Sequence, residues 1–389
     1  MTENGNGPLI FLIAGEPSGD FLGARLMEAL KRETDGAIRF TGVGGSYMEA
    51  QGLNSLFDIR EIAVMGWVEV IAHIPTVLRR IKDTEAAARA TKPDLFLSID
   101  SPSFSLEVSK RLRGEGYPLV HYVAPSVWAW KAGRARKIAA FLDHLLCLLP
   151  FEPPYFEVHG LDTTFIGHPA VERAGAAAGG DGLRQRLGLG LDSLLLSVLP
   201  GSRRGEVQRH AAIFGEALGL LAKTWPELTA LVPTVANVAE QVGEAIARWP
   251  VPAKLLTQQD DKYAAFAASR AALAASGTVG IELAVAGLPA VMAYRLNLMS
   301  AAFVPLVVNL RYASIASLVL DRSVQPECLQ FNCNPKKLAS TLKPLIEERE
   351  ERQRVIRDGF KAAEMLGMGG DPPSKRAANV LLSLLQKGS

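Results

Sequence analysis

Three groups of residues in this 389-residue chain have types and spacings suited to chemistry. Asp100 closes the apolar run Leu95–Ile99 and precedes Ser101-Pro102-Ser103. A carboxylate at that point stands at the carboxyl edge of a sheet, where it can take a proton from a bound hydroxyl; the plainer reading is a turn or cap residue. Pro200-Gly201-Ser202-Arg203-Arg204-Gly205-Glu206 follows a second apolar run. Two guanidiniums beside a small-residue turn at a helix start suit a pyrophosphate, because arginine grips such a group bidentately, although surface arginines occur at helix starts without a ligand. Ala275-Ser276-Gly277-Thr278 leads into Val279-Gly280-Ile281-Glu282. Thr278 and Glu282 share a helix face, an arrangement for a phosphate and a ribose diol together, or for a carboxylate that only complements the helix dipole.

A fourth segment, Ala14-Gly15-Glu16-Pro17-Ser18-Gly19-Asp20, joins an apolar run to a helix with Leu22, Leu26, Met27 and Leu30 on its apolar face. Its glycines allow close backbone approach, and its helix start favours an anionic ligand. The spacing matches neither G-x-G-x-x-G nor G-x-x-x-x-G-K-[ST], and Gly42-Val43-Gly44-Gly45 lacks the third glycine of the G-x-G-x-x-G fingerprint. His121 and His168 are weaker signals for chemistry, and the plainer reading of either is a hydrogen-bonded structural histidine. No Asp-x-Asp triplet and no His/Cys pair of zinc spacing occurs, so metal catalysis is disfavoured and no cofactor is expected.

These residues need strands behind them and helices beside them. Apolar runs at Leu9–Ala14, Ile38–Val43, Leu95–Ile99, Leu119–Val123, Leu145–Leu149 and Thr164–Ile166 alternate with amphipathic segments. The runs resume at Leu194–Leu199, Leu228–Val232, Lys254–Leu256, Ala271–Ala274 and Ala290–Ala293. That alternation is the signature of parallel α/β sheets, and the length calls for two domains. The Ala/Gly-rich stretch Ala174–Gly182 reads as the linker between them, and Pro335–Gln386 is helical by its apolar spacing. With 42 basic against 40 acidic residues there is no global field to recruit nucleic acid. The local basic run Lys131, Arg134, Arg136 and Lys137 reads as a solvated helix face. Cys147, Cys328 and Cys333 fit no disulfide framework, and Met1–Pro8 lacks the pattern of a secretory signal, so a cytoplasmic location is expected. Leu298–Leu320 is interrupted by Pro305, Asn309 and Arg311, against a spanning helix. Val64–Ile81 carries Met65, Trp67, Val70 and Ile71 with Arg79, Arg80 and Lys82 at its end, a mix suited to acyl chains and anionic headgroups if it is not simply a buried helix.

Seven segments in order resemble the lipid-A-disaccharide synthases of glycosyltransferase family 19: AGEPSGD (Ala14–Asp20), VMGWVEV (Val64–Val70), IDSPSF (Ile99–Phe104), HYVAPSVWAWK (His121–Lys131), Gly167–Pro169, LPGSRRGEV (Leu199–Val207) and ASGTVGIE (Ala275–Glu282). The resemblance implies an α/β protein of GT-B fold, two Rossmann-like domains with the active site in the cleft between them. An acceptor domain over 8–170 would be joined by C-terminal helices of about 357–389, and 171–356 would hold the UDP-sugar. The implied reaction joins UDP-2,3-diacylglucosamine to 2,3-diacylglucosamine 1-phosphate with inversion, giving a β-1′,6-linked disaccharide and UDP. Asp100 then corresponds to the base, with Glu16 as its competitor. Gly201, Ser202, Arg203, Ser276, Gly277, Thr278 and Glu282 correspond to the UDP side, and Ser18, Met65, Trp67, Val70 and Ile71 to acceptor and acyl-chain contacts. Peripheral association with the inner face of the inner membrane is implied as well. The pattern departs at Ser317, where the family has asparagine, and at Ser103, where many members have aspartate. Another GT-B enzyme, such as a UDP-N-acetylglucosamine 2-epimerase or a transferase with a non-lipid acceptor, and a non-catalytic nucleotide-sugar binder are the alternatives on the same fold.

Overall fold

The computed structural model describes residues 7–62, 67–129, 133–173, 178–190, 192–296 and 311–388. The chain divides into two compact units, Met1–Pro169 with Gly370–Ser389, and Ala170–Gly369. Each is built on one six-stranded sheet whose neighbouring strands are parallel.

In the first unit the strands are β1 (Leu9–Ala14), β2 (Arg39–Val43), β3 (Leu95–Ile99), β4 (Leu119–Tyr122), β5 (His144–Cys147) and β6 (Asp162–Phe165), in the order β2-β1-β3-β4-β5-β6. The central strands are apolar on both faces because helices cover both, and Phe11 of β1 stacks on Phe96 of β3 with centroids 5.6 Å apart. Each such fully buried side chain contributes about 1.5–3 kcal/mol of burial. The chain leaves β1 toward β2 and returns on the other side at β3, so the topological switch point lies between the carboxyl ends of β1 and β3. Helix Pro17–Glu33 starts with proline in its first turn, where the missing N–H costs nothing, and buries Leu26, Met27 and Leu30. The C-terminal helix Pro373–Gly388 packs against it.

In the second unit the strands are β7 (Leu195–Leu199), β8 (Thr229–Pro233), β9 (Ala253–Leu256), β10 (Ala271–Ala275), β11 (Ala290–Tyr294) and β12 (Glu327–Leu329), in the order β12-β11-β10-β7-β8-β9. This is the doubly wound order of a dinucleotide-binding fold, and its switch point lies between the carboxyl ends of β7 and β10. Helices Pro335–Glu347 and Arg349–Met365 belong to this unit. Residues Gly180–Arg186, partly inside the stretch read as a linker, form a helix anchored by buried Leu183. The remaining part of that stretch at 174–177, the segment 297–310 and Met65 lie outside the described residues. Among the described residues no helix is long and apolar enough to cross a membrane.

Candidate active site

The loops at the two switch points carry most of the residues singled out in the sequence. At the end of β1 the chain turns through Gly15 into helix Pro17–Glu33, and at the end of β3 it turns through Asp100. The Ser18 hydroxyl donates to Asp100 Oδ2 at 3.0 Å, bringing together two residues 82 apart in sequence. Asp100 and Ser101 both adopt left-handed backbone, with φ of 49° and 46°. Consecutive left-handed non-glycine residues are costly and are found where the surroundings fix them. Here the Asp100 N–H donates to Tyr122 O at 3.0 Å, and Gly15 packs so closely that an added Cβ would lie 2.4 Å from Ser101 Oγ. Glu16 is the half-buried N-cap of the helix.

The last residue of that loop has a different task. Asp20 is 3% exposed, and its carboxylate accepts from the N–H groups of Gly45, Tyr47 and Met48 at 2.8, 3.1 and 3.0 Å. It caps helix Ser46–Ala50 from a distance and ties the loop after β2 to the loop after β1. On the other side of β3, the tryptophan-rich loop after β4 is held by Glu152, which no sequence motif had marked. Glu152 accepts from Trp128 Nε1 at 3.2 Å and from the N–H groups of Leu148 and Leu149 at 3.1 and 2.9 Å. Burial outweighs these three donors and pushes its carboxyl up to about 7. His121 is fully buried, with Nδ1 2.7 Å from Ser98 Oγ, and burial pushes it down to about 3. His168 is likewise pushed down, to about 4. Both are neutral in the fold. Arg136 and Lys137 are exposed on helix Gly133–Ala139, while Lys131 lies outside the described residues.

Helix Trp67–Thr91 is described in its backbone, but the side chains of Trp67, Val70 and Ile71 lie outside the described residues. Beyond them, Ile81 is buried, whereas Ile74 and Leu78 are 45% and 48% exposed. The helix therefore turns one apolar face to the core and another to solvent.

In the second unit, Gly201 has φ of 132°, and a Cβ there would lie 2.4 Å from Glu206 Cβ. Glu206 closes the loop on itself: its Oε2 accepts from the N–H groups of Ser202 and Arg203 at 3.0 and 3.3 Å, and Arg203 Nη1 donates to Oε1 at 3.1 Å. Arg203 keeps 61% of its side chain exposed. Asn237 Nδ2 donates to Ser202 O at 3.0 Å, and His210 Nδ1 lies 3.1 Å from Pro200 O. The second His210 nitrogen accepts from Arg295 N–H at 3.0 Å, so the ring is neutral and links the ends of β7 and β11. Burial pushes its pKa down, as that role requires.

At the end of β10, Ser276 donates to Ala313 O at 3.2 Å. Gly277 and Thr278 are exposed, and a Cβ at Gly277 would meet nothing within 4 Å. Glu282, 13% exposed in its side chain, forms an ion pair with Lys262. Ser317 is fully buried and accepts from Val324 N–H at 3.1 Å. No group of three or more His, Cys, Asp or Glu suited to a metal occurs among the described residues.

The family model for lipid-A-disaccharide synthetase matches residues 10–368. The lipid-A-disaccharide synthase of Rhodospirillum centenum is 51% identical over 381 residues, covering 97% of this chain and 95% of that protein. The chain belongs to the lipid-A-disaccharide synthetase family. The Paramagnetospirillum magneticum synthase is 45% identical, with 98% of each chain covered. Among solved structures, an S. aureus MnaA–UDP co-structure aligns with a TM-score of 0.65 at 13% identity, over 98% of this chain and 97% of that one. Acinetobacter baumannii MurG aligns at 0.58 and 14% identity, over 98% and 99%. At such identities the likeness shows the fold alone, which is GT-B, and the synthetase relatives decide the family.

Proposed function

We propose that this chain forms the lipid A disaccharide by inverting transfer of 2,3-diacylglucosamine from its UDP derivative to 2,3-diacylglucosamine 1-phosphate, releasing UDP. The first unit is the acceptor half and the second the donor half. The observation that carries this reading is the Asp100 turn. A carboxylate stands at the switch point of the first sheet, fixed by left-handed backbone and by the Ser18 hydroxyl, in a chain whose 51%-identical relative is a disaccharide synthase.

In this reading Asp100 takes the proton of the acceptor 6-hydroxyl as its oxygen attacks the anomeric carbon from the face opposite UDP. The bond to the UDP oxygen breaks with its electron pair, and the charge that develops on the diphosphate is met by Arg203 and the helix starts at Ser202 and Ser276–Thr278. Glu282 receives the ribose hydroxyls. Acyl chains lie along helix Trp67–Thr91, whose exposed Ile74 and Leu78 support peripheral attachment to a membrane surface.

Single-turnover rates with both acylated substrates test the assignment. Asp100→Asn is expected to lose about 10²- to 10⁴-fold in rate while still binding UDP. Near-native turnover in Asp100→Asn together with loss in Glu16→Gln would move the base to Glu16.

A further inference from the structure

Lys262 stands in the first turn of helix Gln259–Ala268, beside Asp260 and Asp261. A cation there opposes the helix dipole, so helix stability does not account for it. Asp261 is paired with Arg186, whereas the Lys262 ammonium pairs with Glu282 Oε2 across to the helix that follows β10. The ammonium also lies 5.6 Å from the ring centre of Tyr263 and 5.9 Å from that of Phe266. Lys262 keeps 25% of its side chain exposed and Glu282 13%. Removing both charges this far from water costs more than an apolar pair of similar size would, so the pair calls for a use beyond stability.

We propose that Lys262 is a positioning residue for the donor ribose: it holds the Glu282 carboxylate where that group receives the 2′- and 3′-hydroxyls, and so sets the preference for ribose over deoxyribose. The proposal rests on the reading of Glu282 as the ribose ligand. Glu282 lies one turn beyond the Ser276–Thr278 start, and the Lys262 ammonium is close enough to its carboxylate to hold it. Lys262 acts through Glu282 and does not itself touch the nucleotide.

Calorimetric titration of the full chain with UDP and with 2′-deoxy-UDP tests this. The unaltered protein is expected to bind UDP about tenfold or more tightly than 2′-deoxy-UDP, the effect of one hydrogen bond to a charged group. In Lys262→Met the ratio falls to about threefold or less, UDP losing more affinity than 2′-deoxy-UDP, which has only its 3′-hydroxyl contact to lose. Lys262→Arg, which keeps the charge, retains most of the ratio. In a Glu282→Gln background, Lys262→Met changes neither affinity. An unchanged ratio in Lys262→Met overturns the proposal, as does equal weakening of both nucleotides, which would put the ammonium on the diphosphate. If the unaltered protein itself fails to discriminate, the ribose reading of Glu282 falls and the proposal with it. Circular dichroism verifies folding, and Lys262→Gln carries the same expectations should the methionine variant fail to fold.

Discussion

Replacing Arg203 by alanine separates what this residue does for the free protein from the diphosphate contact proposed for it. In the free protein its guanidinium meets Glu206 Oε1 at 3.1 Å with 61% of the side chain in water, a pair worth at most about 1 kcal/mol. A charge-assisted contact to diphosphate is worth about 1.5–3 kcal/mol. Binding exchanges one for the other, so the net loss in Arg203→Ala is about 1–2 kcal/mol, a weakening of UDP affinity of about 5- to 30-fold. Glu206→Gln works in the opposite direction. The amide still caps helix Arg204–Ala222 but no longer competes for the guanidinium, so UDP affinity stays level or rises by up to about fivefold. Titration calorimetry with UDP reads both. Unchanged affinity in Arg203→Ala, or weakening in Glu206→Gln as large as in Arg203→Ala, would refute the assignment of this loop to the diphosphate.

Three further outcomes are expected. Asp20→Asn turns an amide toward the Tyr47 N–H and costs about 1–3 kcal/mol in urea unfolding while leaving UDP affinity unchanged; a loss of UDP affinity without loss of stability would contradict its structural role. Glu152 is raised from 4.5 to about 7 in the fold, so the folded protein holds its proton longer than the unfolded chain and stability falls as pH rises from about 4.5 through 7, by about 3 kcal/mol. Glu152→Gln lacks that slope, and a stability difference from the unaltered protein that stays constant between pH 4.5 and 8 would count against it. Ile74→Ser with Leu78→Ser is expected to lower sedimentation with anionic vesicles and leave the circular dichroism spectrum unchanged; unaltered sedimentation would remove this helix from the membrane surface.

Strands buried on both faces announce themselves as apolar runs, which is why β1, β3, β7 and β10 were legible from the sequence. β12 was not, because Glu327-Cys328-Leu329 is a short edge strand with a carboxylate that caps the Ala313 and Ser314 N–H groups. The Gly/Ala composition before Leu183 hid a helix, since one leucine packed against Leu231 and Ala265 suffices to anchor it. In the candidate site the residues proposed to do the chemistry stand out in the sequence, because Asp100, Arg203 and Glu282 follow apolar runs in loops of recognisable composition. Their supports do not. Glu152 meets Trp128 across 24 residues, His210 meets Arg295 across 85, and Lys262 reaches Glu282 from another helix, pairings that depend on strand order and leave no local pattern. Asp20 shows the converse, a motif residue whose position suggests chemistry and whose three backbone partners give it a structural task.

The most direct test of the central claim is mass spectrometry of the reaction of the full-length protein with UDP-2,3-diacylglucosamine and 2,3-diacylglucosamine 1-phosphate, with UDP release followed in the same samples. The expected result is one tetraacylated disaccharide 1-phosphate per UDP released, β-linked by nuclear magnetic resonance, formed at a greatly reduced rate by Asp100→Asn. UDP-sugar consumed without the acceptor, or no disaccharide at all from the folded protein, would contradict it.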